Sequence, residues 1–219
     1  VFNGRRVAGA VPGPVTRHVA WRMVADGPRA MMLSQFARPP PDAGFCGSTT
    51  YGNGPFITPI VVSSLSIASD KHYSLGSGPY PPLVVDVARS PLGVNTALAG
   101  AGTGTVWVER PVANGTTTRL AVPGEPTSVA FRGEDTVVVF SREPARLLFV
   151  TLGTTVQLTS TVELGGDSVR STAHALFHRS TGAGIACASC HPEGGDDGHI
   201  WPLPEGPRRT NSLRGGLKA

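Results

Sequence analysis

Along the first 163 residues the apolar positions fall in short runs rich in Val, Thr, Phe and Trp. Residues 57–62, 105–109, 136–140 and 147–151 are examples. Turn-forming pairs separate such runs: Asp26-Gly27, Leu92-Gly93, Asn114-Gly115 and Pro123-Gly124. Short strands recurring at roughly 8–12-residue intervals predict an all-β region, a sandwich, barrel or propeller. A repeat selects among them. Val87-Ala88 leads through Pro91-Leu92-Gly93 into one strand-like run and then into Val106-Trp107-Val108. Val129-Ala130-Phe131 leads through Gly133 into the same order of runs. Ala88 and Ala130 are 42 positions apart, within the roughly 40–45-residue period of a four-stranded propeller blade. A weaker copy runs from Met23 through Gly27 into Ala30, and residues 39–54 read as an inserted loop. The expected fold is therefore mainly β, with incomplete propeller blades over residues 1–163. A plain β-sandwich is the alternative.

The pattern changes after residue 163. Val169, Ala173, Leu176 and Phe177 share one helical face, with Asp167 or Ser168 as cap and Gly182 as stop. Loop-rich chain follows to Ala219. Residues 164–219 thus read as a second, small segment of helix and loop.

Composition agrees with a folded chain. Of 219 residues 40% are hydrophobic and only 16% charged, a balance unlike that of disordered proteins. The 28 glycines and 20 prolines follow no triplet period, which excludes collagen. The net charge of +4 comes without a basic run, so nucleic acid is not an expected partner. No stretch of about 18 apolar residues predicts a transmembrane helix. The chain starts at Val1 in mid-pattern and reads as a piece of a longer precursor. Three cysteines, Cys46, Cys187 and Cys190, do not make a disulfide framework, and Cys46 reads as a lone thiol.

Candidate chemistry lies in Cys187-Ala188-Ser189-Cys190-His191, a C-x-x-C-H motif of the kind that attaches haem c. Two thiols three residues apart can each hold one vinyl edge of a porphyrin, and the adjoining His191 reaches the iron as axial ligand. A zinc site through Cys187, Cys190, His191 and His199 is a rival. It has no second C-x-x-C pair and suffers from the adjacency of Cys190 and His191. A thioredoxin-like pair is a second rival, but Pro192 and the glycines after it oppose the long helix that pair requires.

The residues around the motif resemble a known group. His174-Ala175-Leu176-Phe177-His178, Thr181-Gly182 and the stretch from Ile185 through Gly194 look like a cytochrome c domain. They resemble the N-terminal haem domain of bacterial di-haem cytochrome c peroxidases and their methylamine-utilisation (MauG-like) relatives. The stretch from Gly206 through Gly215 resembles that family's Arg-x-Thr-like element near the haem. With the preceding region the whole is similar to the group fusing a YVTN-like propeller to such a domain. The resemblance implies a helix over residues 168–180 packing on the haem through Leu176 and Phe177. It also implies a cytochrome c-like domain over 164–219, truncated at its C-terminus.

Cofactor-binding candidates are Cys187, Cys190, His191, Arg208, Arg209 and Thr210, with His191 as metal ligand. The arginine forks suit haem propionates. No methionine follows His191, and Met23, Met31 and Met32 all lie in the β region, so the sixth ligand is expected downstream of Ala219 or the site is five-coordinate; the local candidates are His174, His178 and His199. Glu193, Asp196 and Asp197 read as a solvated acidic loop, and Trp201 as a packing residue. The function expected is covalent haem c binding and electron transfer to a redox partner protein, in a periplasm or bacterial envelope. The alternative is part of a di-haem peroxidase-like enzyme whose second haem lies outside this chain.

Overall fold

A computed structural model describes residues 18–36, 60–66, 72–76, 83–110, 116–167, 171–181, 185–203 and 206–215. The protein is mainly β. Three four-stranded antiparallel sheets follow one another, each an up-and-down meander. The first holds β1 (His18–Asp26), β2 (Arg29–Phe36), β3 (Ile60–Ser66) and β4 (His72–Gly76). The second holds β5 (Val84–Arg89), β6 (Thr96–Gly100), β7 (Thr105–Arg110) and β8 (Thr116–Ala121). The third holds β9 (Pro126–Phe131), β10 (Thr136–Ser141), β11 (Arg146–Leu152) and β12 (Val156–Glu163).

The strands expected at 105–109, 136–140 and 147–151 are present with edges shifted by one residue, and the run expected at 57–62 is β3 at Ile60–Ser66. Cys46, residues 39–54, residues 57–59 and the Asn114-Gly115 pair lie outside the described residues.

Side-chain alternation shows how the sheets stack. In β6 all five residues are buried, because the second sheet is covered on both faces. Leu98 joins Trp107, Val84 and Val87 against Met31, Leu33 and Val62 of the first sheet. Its neighbours Ala97 and Ala99 point the other way, with Val106 and Val108, against Val129, Val137, Val139, Leu148 and Val150 of the third. In β10 only every second residue is buried, as expected of a sheet covered on one face.

The first strands of successive sheets lie side by side, β1 on β5 and β5 on β9. One buried carboxylate ties them. Asp86 in β5 is 3% exposed. It accepts from Arg22 Nε of β1 at 2.6 Å, from Ser128 Oγ of β9 at 2.6 Å and from Val129 N at 2.9 Å. Each donor comes from an adjacent sheet, so the carboxylate is satisfied although buried. The Glu134 carboxylate accepts from Leu92 N, and Glu134 O accepts from Asn95 Nδ2 at 3.1 Å. These contacts again join the second and third sheets.

After β12 the chain forms α1 (Thr172–His178), the four-residue α2 (Cys187–Cys190), and a hairpin of β13 (Ile200–Leu203) and β14 (Gly206–Arg209). The helix is shorter than expected. Its cap is Ser171, whose Oγ accepts from His174 N at 3.3 Å, rather than Asp167 or Ser168. A serine three residues before an available amide suits that role directly. The helix ends at His178, where Arg179 turns extended. Among the described residues no helix is long and apolar enough to cross a membrane.

The candidate functional site around Cys187, Cys190 and His191

A short turn of helix brings the motif together. His191 N donates to Cys187 O at 3.0 Å and Ser189 N to Ala186 O at 3.0 Å. The Ser189 hydroxyl accepts from Ala186 N at 3.1 Å, holding the start of the turn. Cys187 and Cys190, three residues apart, therefore face the same side. They and His191 line an open cavity of about 370 Å³, completed by Phe177, Thr181, Ile185, Ala186 and Leu213. The wall is predominantly apolar.

The two thiols are free, Cys187 exposed and Cys190 half-buried. Burial, with the charge of Asp197 and the second thiol, pushes Cys190 up to about 12, so it remains a neutral thiol. His191 Nδ1 lies 3.3 Å from Gly195 O. A carbonyl can only accept, so Nδ1 carries the proton and Nε2 keeps its lone pair.

The chain after His191 is shaped to make that contact. Glu193 and Gly194 both have positive φ, 50° and 71°, which folds the backbone back. For Glu193 the left-handed conformation costs about 1 kcal/mol. Gly195 is buried, and a Cβ there would sit 3.1 Å from Pro192 O and 3.6 Å from Arg214 Nε. Arg214 Nε donates to Glu193 O at 3.1 Å and Leu213 N to Gly194 O at 2.8 Å. These bonds bring Leu213 to the cavity from more than twenty residues downstream.

Two of the contacts that join this C-terminal segment to the β sheets lie at Gln35 and Gly102. Gln35 of β2, 3% exposed, donates from Nε2 to Ser189 O at 2.5 Å, across 154 positions of sequence. Ser180 N donates to Gly102 O at 2.9 Å. A four-residue helix leaves its last carbonyls without internal partners, and Gln35 satisfies one of them. No pattern around Gln35 in the sequence signals that role.

The other expected site residues lie elsewhere. Phe177 lines the cavity, but Leu176 does not and is 58% exposed. Successive helix positions point about 100° apart, so Phe177 can face the cavity while Leu176 faces solvent. Arg208, Arg209 and Thr210 sit on or just after β14 and do not line the cavity. Arg208 and Arg209 are exposed, and Arg209 Nη2 is 3.9 Å from Asp196 Oδ2. Thr210 is buried, and its Oγ1 accepts from Trp201 Nε1 at 3.2 Å.

Trp201 is itself buried at 4% and donates to Asp197 Oδ2 at 2.8 Å. It packs edge-on against His199 with ring centroids 4.5 Å apart. Asp196 and Asp197 accept from the amides of Gly198 and His199 at 2.9 and 3.0 Å, as turn-formers. None of His174, His178, His199, Met23, Met31 and Met32 lines the cavity. Among the described residues, one group of His, Cys, Asp or Glu brings three ligand atoms within 4.8 Å of one another, and it is Glu125, His174 and His178. The four-ligand zinc set of Cys187, Cys190, His191 and His199 is therefore not assembled.

No protein-family model matches the chain, and no curated protein matches it. Among solved structures, a chain in a complex of KlAtg21 with the coiled-coil of AgAtg16 is similar over 65% of this chain and 57% of that one. The identity is 8% and the TM-score 0.36, a likeness that carries no argument about fold or function. The present chain spans little more than half of that structure's length.

Proposed function

We propose that this protein is a c-type cytochrome that binds one haem covalently through Cys187 and Cys190, with His191 as an axial ligand. The observation that carries this reading is the shared wall. Both thiols, the imidazole and the apolar side chains of Phe177, Ile185 and Leu213 face one open cavity. Those residues fit the group. An apolar wall suits a porphyrin face, and two thiols on one side of a helical turn suit its two vinyl edges. The bond from His191 Nδ1 to Gly195 O fixes the tautomer and leaves Nε2 for the iron, as outer partners of metal-bound histidines do.

When bound, the haem iron supplies one-electron Fe(II)/Fe(III) chemistry. The chain's own residues bind the group, orient His191 and exclude water from one side through Phe177 and Leu213. Arg208, Arg209 and Thr210 would assist only from outside the cavity wall, through the hairpin they stand on.

The finer fold reading belongs with this proposal. Three meanders with adjacent first strands and a 42-residue repeat support blades of an incomplete β-propeller, which would present loops to a redox partner protein. Haem c attachment takes place on exported chains, which places the protein in a periplasm or cell envelope. The peroxidase-like alternative requires a second haem and rests on the resemblance around the motif alone.

The test is expression of the exported chain with a haem c maturation system. The expected outcome is a reduced-minus-oxidised spectrum with a c-type α band and haem retained through acid acetone. Cys187→Ala with Cys190→Ala should abolish covalent haem, and His191→Ala should shift the Soret and visible bands of the bound haem by removing its axial imidazole. A wild-type chain that matures without covalent haem overturns the proposal.

A further inference from the structure

We propose that Glu125, His174 and His178 form a second site, for a single divalent transition-metal ion of the zinc class, that clamps α1 to the third sheet. The three side chains are half-buried, and their ligand atoms lie within 4.8 Å of one another. They come from different parts of the fold. His174 and His178 are four apart on α1, and Glu125 lies in the turn between β8 and β9. Two imidazoles and one carboxylate form a donor set suited to zinc and its neighbours.

The distances fit an ion better than they fit direct contact. His174 Nδ1 and Glu125 Oε2 are 3.7 Å apart, beyond a hydrogen bond. Ligands at about 2.0–2.2 Å from one ion stand about 3–4 Å from each other. His178 Nδ1 lies 2.9 Å from His174 O, so it must donate, and Nε2 keeps a free lone pair. That backbone carbonyl is the outer partner that commonly fixes a metal-bound histidine. The imidazoles stack with centroids 3.9 Å apart, which keeps both rings side by side at the candidate site.

A cation already stands at this place. Arg142 Nη1 is 2.6 Å from His174 Nε2. An arginine can only donate, so Nε2 accepts and the His174 proton sits on Nδ1, facing Glu125. A metal at Nδ1 displaces that proton and moves it to Nε2, where it would oppose the Arg142 donor. Arg142 is exposed and can swing into solvent. The guanidinium thus competes with the metal, and its removal should strengthen binding.

The experiment titrates zinc, followed by calorimetry, into the full chain carrying Cys187→Ser and Cys190→Ser, so that thiolates do not take the metal. Its outcome is then independent of haem. One equivalent should bind saturably. His178→Ala and Glu125→Gln should each weaken binding about tenfold or more, and Arg142→Ala should tighten it. Zinc should raise the melting temperature of the parent and leave that of the His178 and Glu125 variants unchanged. Circular dichroism of each variant checks that the fold is retained. Absence of saturable binding, equal binding by the His178 and Glu125 variants, or weaker binding by Arg142→Ala overturns the proposal.

Discussion

Replacing Asp86 by alanine removes one carboxylate and three hydrogen bonds that cross between sheets. The losses differ in kind. Val129 N is buried in β9 and would lose its acceptor, at about 1–3 kcal/mol. Ser128 Oγ loses a charge-assisted bond but can rotate towards another acceptor, so about 1 kcal/mol is expected there. The Arg22 side chain is 47% exposed and rehydrates, so its share after solvent screening is below about 1 kcal/mol. Together the loss is about 3 kcal/mol, which for a chain of this size lowers Tm by about 6–12 °C. Urea unfolding followed by tryptophan fluorescence measures it, since Trp107 is buried in the core. Because Ser128 and Val129 share the one carboxylate, Ser128→Ala and Asp86→Ala should be non-additive by about 1 kcal/mol. A loss below about 1 kcal/mol for Asp86→Ala, or strict additivity with Ser128→Ala, would refute the idea that this carboxylate joins the three sheets.

Gly124→Ala should destabilise by about 2–4 kcal/mol in the same assay. Its φ is +81°, and a Cβ there would collide with Ser141 Oγ and lie 2.6 Å from Glu143 O, which is backbone and cannot move cheaply. Gln35→Leu should cost about 1–2 kcal/mol and speed hydrogen exchange at the amides of residues 187–191, because Ser189 O loses its donor. Unchanged exchange there would show that the contact does not hold the motif. In metal-free buffer, stability should fall as pH drops through 6.5, the ordinary histidine value. Burial, followed by the charges of His178 and Arg142, lowers His174 below that value. The unfolded chain then binds the proton more readily than the native one. NMR titration of His174 checks the direction, and His174→Gln should flatten the stability profile in that range.

Some of this protein was legible from residue order alone. Alternating apolar runs with turn pairs between them identify strands, because side chains on a strand alternate faces and turns need particular residues. The 42-residue spacing between Ala88 and Ala130 was legible too, and contacts of Asp86 with Ser128 and Leu92 with Glu134 fall at the same separation. Cys187, Cys190 and His191 were legible as a group, since a helical turn of five residues brings them together without help from the rest of the chain.

What residue order could not convey is which faces are covered and what arrives from far away. Leu98 and Ala99 differ little as sequence, yet they face different sheets. Leu176 and Phe177 shared one expected helical face, and only the packing of the helix decided that Phe177 meets the cavity. Arg208, Arg209 and Thr210 belong to a suggestive stretch of sequence, but the hairpin places them off the cavity wall. Gln35, Leu213 and Glu125 reach their partners only because distant segments are packed together. Local periodicity carries backbone preference, and only tertiary packing decides which distant side chains meet.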